Sequence, residues 1–229
     1  MTDLETKNNL AQCFSGVKQQ IAKACTQSQK PVQLLAVSKK HPAHKIQQLF
    51  ELGHARFGEN YVQEGVEKVQ ELNQLDIDWH FIGPIQSNKS RLVAEHFHWV
   101  HTIDTLKIAR RLNDQRPVDM APLNVLIQVN ISQQESKSGI TVSEINELAA
   151  NISQMENLCL RGLMCIPAPQ DDNRLKQEFL AMHEQFETLK KQYPQVDTLS
   201  MGMSGDLTLA IECGSTMVRV GSAIFGQRI

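Results

Sequence analysis

Two adjacent lysines end an apolar segment near the N-terminus and offer an amine for covalent chemistry. In QLLAVSKKHP (residues 33–42), Lys39 and Lys40 follow a run that is typical of a buried strand. A lysine partly removed from water by Leu35 and Val37 has its charged form disfavoured. The neutral amine is a nucleophile that can form a Schiff base with an aldehyde. Because side chains alternate along a strand, only one lysine can face a given site, and alternation alone does not decide which.

Small residues near the C-terminus are suited to binding an anion. SMGMSGD (200–206) brings two serines and two glycines into one short segment, and VGSAIFG (220–226) puts Gly221 and Ser222 at the start of a short helix. Amide N–H groups at a helix start attract anions, and glycine lets the backbone come close to them. These loops therefore predict a phosphate-binding cup, with ordinary helix-capping turns as the alternative.

An arginine lies between the two features in the predicted sheet. In TMVRVG (216–221), Arg219 shares a strand face with Met217 and Gly221, and valines occupy the other face. Burying a guanidinium costs free energy unless its donors meet acceptors, so Arg219 either reaches the surface or faces a ligand. A lysine, an arginine and a phosphate cup across the mouth of a barrel are the layout expected for pyridoxal 5'-phosphate (PLP).

Short apolar segments that alternate with helical patterns must position these residues. The helical spacing is clear where Leu175, Phe179 and Met182 recur at intervals of four and three. Eight segments are predicted as strands: 33–38, 55–58, 78–83, 98–103, 124–130, 158–164, 196–202 and 216–221. Strands that alternate with helices predict a parallel sheet, and 229 residues are comparable with the roughly 250 of a closed barrel. We therefore predict an α/β fold, a single (β/α)8 TIM barrel.

An open doubly wound sheet is the alternative architecture. No G-x-G-x-x-G follows the first predicted strand, and nothing marks a reversal of strand order, so the closed barrel is favoured. An additional helix precedes the first strand, because one apolar stripe consists of Leu10, Phe14, Val17 and Ile21. We assign residues 1–30 to this leading helix and residues 31–229 to the barrel, within one domain.

The composition excludes several classes of protein. The net charge is −2, which gives no basic surface for nucleic acid or an anionic membrane. No apolar run approaches the roughly 18–20 residues that span a bilayer, and the first residues lack the features of a secretory signal. The five cysteines are scattered without a C-x-x-C pair, which indicates reduced thiols. We expect a cytoplasmic protein that binds neither nucleic acid nor membrane.

Two other patterns suggest sites that their context excludes. Four histidines are a cluster by residue type: His80, His96, His98 and His101. However, His96 and His98 precede the fourth strand and therefore belong to the opposite mouth of the barrel, and no carboxylate pattern completes a metal site. The segment ESKSG (135–139) lacks the spacing of a nucleotide-binding P-loop. We predict no metal site.

Seven blocks of sequence resemble the pyridoxal phosphate homeostasis proteins (YggS-type), which are small alanine-racemase-like barrels. The blocks run in order from about residue 30 to residue 228: LLAVSK (34–39), FGENYVQE (57–64), WHFIGPIQSNK (79–89), VNIS with KSGI (129–132 and 137–140), RGLMCI (161–166), LSMGMSGD (199–206) and GSTMVRVGSAIFG (214–226). The resemblance implies a barrel of the fold-type III class of PLP proteins, without a C-terminal β-domain.

The resemblance also implies which residues hold the cofactor. It selects Lys39 rather than Lys40 as the Schiff-base lysine. It places Arg219 at the pyridine nitrogen and Asn60 in the surroundings of the cofactor. The implied phosphate contacts are Met203, Ser204, Gly221 and Ser222. No catalytic residue is implied, because members of this family are regarded as buffering or delivering PLP, with effects on vitamin B6 and amino-acid pools.

Two chemical arguments independently favour a binding protein over an enzyme. An arginine at the pyridine nitrogen keeps its own proton, which leaves the ring a poor electron sink. A two-base racemase also needs an acid or base opposite the lysine, and neither Tyr61 nor Tyr193 is placed to serve. The chain given ends at Ile229, after the eighth strand–helix unit, so we expect no further domain to supply one.

A weak PLP-dependent amino-acid racemase is the alternative function. The expected partners are PLP itself and apo forms of PLP enzymes, and the sequence leaves a monomer and a weak homodimer open.

Overall fold

The predicted closed barrel is confirmed in a computed structural model of the protein, which describes residues 3–28, 31–134, 136–168 and 171–227. Eight parallel strands close in chain order, and the last strand pairs with the first. The strands are β1 (Gln33–Val37), β2 (Arg56–Glu59), β3 (Asp78–Phe81), β4 (Trp99–Ile103), β5 (Leu123–Val129), β6 (Leu158–Cys165), β7 (Thr198–Ser200) and β8 (Met217–Val220). The closure excludes the open doubly wound sheet.

Helices surround the barrel. Those in the described part of the chain are α1 (Asp3–Ser28), α2 (Ala43–Glu51), α3 (Val62–Glu71), α4 (Ser90–His96), α5 (Leu106–Gln115), α6 (Ile145–Ile152), α7 (Asp172–Gln192), α8 (Leu207–Glu212) and α9 (Ser222–Phe225). A short 3-10 turn, Val142–Glu144, leads into α6, and its start is closed by a capping box between Thr141 and Glu144. No helix among the described residues is long and apolar enough to cross a membrane.

The observed strands differ from the predicted ones by one or two residues at their ends. The largest difference is at β7, predicted over residues 196–202 and observed over Thr198–Ser200. Val196 and Met201 are fully buried but lie outside the ladder. Burial produces an apolar sequence beyond the ends of the strand as well as within it, so the apolar run is longer than the strand at β7.

The leading helix α1 packs along the outside of the barrel against α8 and α9. Its buried stripe consists of the predicted Leu10, Phe14, Val17 and Ile21. Residues 1–2 and 29–30, which were included in the predicted helix, lie outside the described residues. Because α8 and α9 follow β7 and β8, α1 supports the side of the barrel that carries the candidate phosphate cup.

Two apolar groups form the core. The large one fills the space between strands and helices, as a (β/α)8 barrel requires. The small one, Trp99, Leu126 and Met164, is separate from it and lies inside the barrel. His80, His101 and Ser200 are also completely buried, so the barrel interior is partly polar.

Candidate functional site

A cavity opens at the carboxyl ends of the strands, where (β/α)8 barrels carry their sites. Its volume is about 260 Å³, close to the lower end of the roughly 300–1,000 Å³ range of small-molecule pockets. All seven site residues predicted from the sequence line it: Lys39, Asn60, Met203, Ser204, Arg219, Gly221 and Ser222. The other lining residues are Val37, Ile82, Met164, Ile166 and Gly205. The structure therefore brings the predicted residues together at one place.

The pairing of β1 with β8 fixes the position of Lys39, which follows β1, relative to Gly221 of the predicted phosphate cup, which follows β8. Leu35 pairs with Arg219, and Ala36 pairs with Val220. A Cβ added at Gly221 would lie 3.1 Å from the carbonyl oxygen of Val37, so glycine allows the two strand ends to approach. This part of the cup is therefore beside the lysine strand, whereas the sequence interpretation put the cup across the mouth.

The turn after β1 separates the two lysines. Lys39 lines the cavity, whereas Lys40 adopts a left-handed backbone conformation with φ of 62°. The Lys40 ammonium lies over the ring of Tyr61, 5.8 Å from its centroid. A non-glycine residue in this region carries a conformational cost of order 1 kcal/mol, which the surrounding contacts must offset. The backbone therefore directs the neighbouring lysines to different places.

A buried charged cluster behind β1 holds the residue that precedes Lys39. The Lys68 ammonium donates to the Ser38 carbonyl at 2.9 Å, to Glu59 Oε1 at 2.8 Å and to Glu64 Oε1 at 2.7 Å. The Ser38 hydroxyl donates to the same Glu59 oxygen at 2.6 Å. Glu64 also accepts the amide N–H of Lys40. The cluster thus fastens both ends of the lysine turn to β2 and α3.

Burial dominates the electrostatics of Glu59. Its side chain is completely buried, and this desolvation raises the pKa of the carboxyl above its ordinary value, while Lys68 and Ser38 act in the opposite direction. The second carboxyl oxygen, Oε2, has no hydrogen-bond partner among the residues that the structure describes. Burying the Glu59 carboxyl group therefore costs free energy of folding. Glu59 lies immediately before the cavity residue Asn60.

Arg219 is 5% exposed and points into the barrel below the cavity. One terminal nitrogen donates to the Ser200 carbonyl at 2.7 Å and to the Ser200 hydroxyl at 2.8 Å. The other donates to the Cys165 carbonyl at 2.9 Å. Burial lowers the pKa of the guanidinium, which nevertheless remains protonated, as arginine does in proteins. The fixed side chain presents positive charge to the cavity.

Two close contacts shape the remaining walls. A Cβ at Gly83 would lie 2.0 Å from the carbonyl oxygen of Asn60, so glycine is required where the loop after β3 meets the loop after β2. The loop after β7 is closed by Asp206, whose carboxylate accepts the amide N–H of Met203 and whose own amide donates to the Met203 carbonyl. Each loop is thereby held in one conformation.

The start of α9 supplies amide groups to the cavity. Gly221 occupies the N-cap position and Ser222 is the first helical residue. The first amide N–H groups of a helix have no acceptor within the helix, which leaves them available to an anion.

Sequence reasoning missed the residues that support the site. Lys68 and Glu64 are charged residues on a helix, which are usually solvated, and only their spacing of four residues hinted at a pair. Glu59 was part of a recognised block without a role of its own. The apolar wall residues Ile82, Met164 and Ile166 carried no chemical signal.

The histidines do not converge on one point. His80 and His101 lie inside the barrel. His98 lies at the amino ends of the strands, where Asp78 is beside both His98 and His80. His96 ends α4 and contacts the carbonyl of Leu92. Within the described residues, no group of three or more His, Cys, Asp or Glu side chains is arranged to hold a metal ion.

A larger surface cavity, about 630 Å³, lies elsewhere, between the loop after β5 and α7. It contains none of the predicted site residues.

A family model and the sequences of known proteins indicate the same family for this chain. The family model described as alanine racemase, N-terminal domain, matches residues 15–229. The pyridoxal phosphate homeostasis protein of Pasteurella multocida is 55% identical, with 97% of each chain covered. The protein of the same name from Vibrio alginolyticus is 59% identical, with 89% of this chain and 90% of that protein covered.

Solved structures agree in fold. PipY of Synechococcus elongatus, solved with PLP bound, is 33% identical, with a TM-score of 0.83 and coverage of 95% of this chain and 100% of PipY. Alanine racemase of Corynebacterium glutamicum is 14% identical, with a TM-score of 0.74, and is similar in fold alone. The match covers 97% of this chain and 61% of the racemase.

Proposed function

The chain belongs to the family of pyridoxal phosphate homeostasis proteins, and we propose that it binds PLP in the cavity at the barrel mouth and takes part in the homeostasis of this cofactor. One observation carries the proposal. A lysine, a buried arginine and the start of a helix line the same cavity, on strands that are neighbours in the barrel. These groups match an aldehyde, a ring nitrogen and a phosphate, the three parts of PLP.

The amine of Lys39 holds the aldehyde as a Schiff base, with loss of one water. When bound, PLP supplies an electrophilic imine and a conjugated ring. Lys39 lines the cavity, and its backbone is fastened through Ser38 to Lys68, which supports a defined position for the amine. Lys40 is directed toward Tyr61 and does not compete for the aldehyde.

The other residues hold the ring and the anionic group. Arg219 donates to the ring nitrogen, and the amides of Gly221 and Ser222 bind the phosphate together with the Met203–Ser204 turn. Asn60 contributes to the wall beside the lysine. The positive charge of Arg219 and the helix start both favour an anionic ligand.

This arrangement suits storage and release rather than turnover. A guanidinium at the ring nitrogen does not surrender its proton, so the ring cannot become the strong electron sink that carbanion chemistry uses. Racemisation would also need an acid or base opposite Lys39. Tyr61 caps α3 with its side chain 48% exposed, and Tyr193 ends α7, so both lie outside the cavity lining. The racemase alternative is therefore not favoured.

We place this function in the cytoplasm, with apo forms of PLP-dependent enzymes as recipients of the cofactor. No disulfide involves Cys13, Cys159, Cys165 or Cys213, which supports a reducing compartment. Both a monomer and a weak homodimer are compatible with the proposal, because every proposed ligand group comes from one chain.

Visible absorbance after addition of PLP, followed by borohydride reduction and mass spectrometry, tests the proposal. We expect the imine band in the wild-type protein and in Lys40→Ala, with the reduced adduct on Lys39. The band is lost in Lys39→Ala, because the remaining lysine is turned away. A normal band in Lys39→Ala, or an adduct on Lys40, would contradict the assignment.

A further inference from the structure

A continuous line of hydrogen bonds runs through the barrel from one mouth to the other. Asp78 Oδ2 lies 3.3 Å from His80 Nε2, and His80 Nδ1 lies 2.9 Å from His101 Nε2. His101 Nδ1 lies 3.2 Å from the Ser200 hydroxyl, which accepts from Arg219 at 2.8 Å. We call His80, His101 and Ser200 the polar column. It links the arginine below the cavity to a carboxylate at the opposite mouth.

Filling the barrel interior with these residues is costly. The interiors of such barrels are usually packed with branched aliphatic side chains. Here His80, His101 and Ser200 are each completely buried. Buried polar side chains must be hydrogen-bonded, and replacing them with apolar residues of similar shape is often neutral or stabilising. The polar column therefore requires an explanation other than stability.

The direction of every hydrogen bond in the polar column follows from the groups at its two ends, Arg219 and Asp78. A guanidinium only donates, a carboxylate only accepts, and a neutral imidazole donates from one nitrogen and accepts at the other. The Ser200 oxygen therefore accepts from Arg219, and the Ser200 hydroxyl proton is directed to His101 Nδ1. His101 must then carry its proton on Nε2 and donate it to His80 Nδ1. His80 in turn carries its proton on Nε2, facing the carboxylate of Asp78. One chain of donors thus leads from the arginine to the carboxylate.

The column is compatible with neutral histidines throughout. Burial lowers the pKa of His80 and, more strongly, that of His101, on which His80 and Arg219 act in the same direction. The hydrogen bond and charge of Asp78 oppose this effect at His80. Because neither ring adds positive charge beside Arg219, the column can serve as a fixed hydrogen-bonded support.

We propose that Ser200, His101 and His80 are positioning residues, which hold the Arg219 guanidinium in the orientation that meets the ring nitrogen of the ligand. The inference rests on the proposed function for the identity of the ligand. The arginine has two carbonyl acceptors as well, but the Ser200 hydroxyl is the acceptor whose orientation is set by a further chain of residues. Disturbing the column therefore acts on the arginine through residues that do not themselves line the cavity.

The tautomers of the two histidines test the column in the unloaded protein. Long-range proton–nitrogen correlation spectra at pH 7 distinguish Nδ1–H from Nε2–H. In the wild-type protein, we expect both His80 and His101 to be neutral with the proton on Nε2. In Ser200→Ala, we expect His101 to show a mixture of the Nε2–H and Nδ1–H tautomers. A proton on Nδ1 of either ring in the wild-type protein would overturn the proposed direction of the chain.

The matched variants Ser200→Ala and Ser215→Ala test the effect on the ligand. Ser215 is also buried, and within the described residues its hydroxyl donates to backbone carbonyls, the nearest being that of Met201 at 2.7 Å. We expect Ser200→Ala to weaken PLP binding about tenfold, the equivalent of one hydrogen bond to a charged group, and to shift the imine absorbance. Ser215→Ala should change neither.

The two proposals fail in different ways. If Ser200→Ala binds PLP with the affinity and absorbance of Ser215→Ala, Ser200 does not position the arginine, and the inference is overturned while the proposed function stands. If the wild-type protein forms no imine at Lys39, the proposed function fails. Independently of that result, a mixture of tautomers at His80 or His101 in the unloaded protein would overturn the proposed polar column. Unfolding curves of both unloaded variants exclude a general loss of structure.

Discussion

Two buried cations, Lys68 and Arg219, flank the cavity and are stabilised in different ways. Each is about 5% exposed, one between the barrel and α3 and the other inside the barrel. Lys68 donates to two carboxyl groups, Glu59 and Glu64, at 2.7–2.8 Å. In the described part of the chain, Arg219 donates to two carbonyls and a hydroxyl, all of them neutral. One charge is hydrogen-bonded to carboxyl groups within the fold, and the other is hydrogen-bonded to neutral groups alone.

The difference between charged and neutral hydrogen-bond acceptors distinguishes a cation that stabilises the fold, Lys68, from one that is suited to binding a ligand, Arg219. A buried charge that is already paired has little attraction left for a ligand. A buried charge held only by neutral acceptors keeps its field, in a region where water does not screen it. Lys68 therefore serves to hold the Lys39 turn, whereas Arg219 keeps a charge that is available to the ligand we propose for the cavity. Perturbed ionisable groups of this second kind are typical of functional sites.

Lys68→Met should have the largest effect on stability. It removes the cation between two carboxyl groups, one of which is completely buried, and breaking such a pair costs about 3–5 kcal/mol. Denaturant unfolding of the unloaded protein at pH 7 measures this loss. The double variant Lys68→Met with Glu59→Gln should recover part of it, because a neutral amide needs no counter-charge. A loss below about 1 kcal/mol would remove the contrast between the two cations.

Compared with Lys68→Met, Arg219→Leu should lower the free energy of unfolding less and weaken PLP binding more. It leaves the Ser200 and Cys165 carbonyls without their donor, which costs about 1–3 kcal/mol, but it strands no buried carboxylate. We expect the variant to unfold at a higher denaturant concentration than Lys68→Met, and to lose PLP affinity by more than about tenfold. Unloaded unfolding and absorbance titration measure the two effects separately. Equal affinity for PLP would show that the charge of Arg219 is not used for binding.

The smallest effect concerns the pH dependence of stability. Burial raises the pKa of Glu59 above 4.5 in the folded protein, and Lys68 opposes this. In Lys68→Met the folded protein therefore keeps a proton that the unfolded chain releases. The free energy of unfolding should fall as pH rises from 4.5 through the folded-state pKa, by at most about 1.4 kcal/mol per pH unit for one proton.

Unfolding curves of Lys68→Met between pH 4.5 and 8 check this slope, with the double variant that adds Glu59→Gln as the control. The control lacks the titrating carboxyl and should show a flatter dependence. Identical slopes in both variants would mean that Glu59 does not carry the effect.

The fold could be predicted from the sequence because its pattern repeats. Each strand–helix unit has an apolar run and then a helical stripe, and eight such units leave few alternatives to a closed barrel. The ends of strands were less predictable, as at β7, because burial and backbone pairing do not coincide there. Local sequence determines which elements form, whereas tertiary pairing determines where they end.

The cavity residues could be predicted because they are unusual at their positions. A lysine after a buried strand, an arginine among valines and glycine at a helix start are each costly or conspicuous without a ligand. The supporting residues are different: Lys68, Glu59, His80 and His101 are ordinary residue types whose partners are remote in sequence. Only the folded barrel brings those partners within hydrogen-bonding distance.

The pairing of β1 with β8 also has a consequence for protein synthesis. Lys39 emerges from the ribosome well before Arg219 and Ser222, which lie much further along the chain. A nascent chain that lacks β8 has neither a closed barrel nor the second wall of the cavity. On the proposed function, PLP can therefore be captured only after β8 has been translated, and its binding then favours the completed barrel over any partly open form.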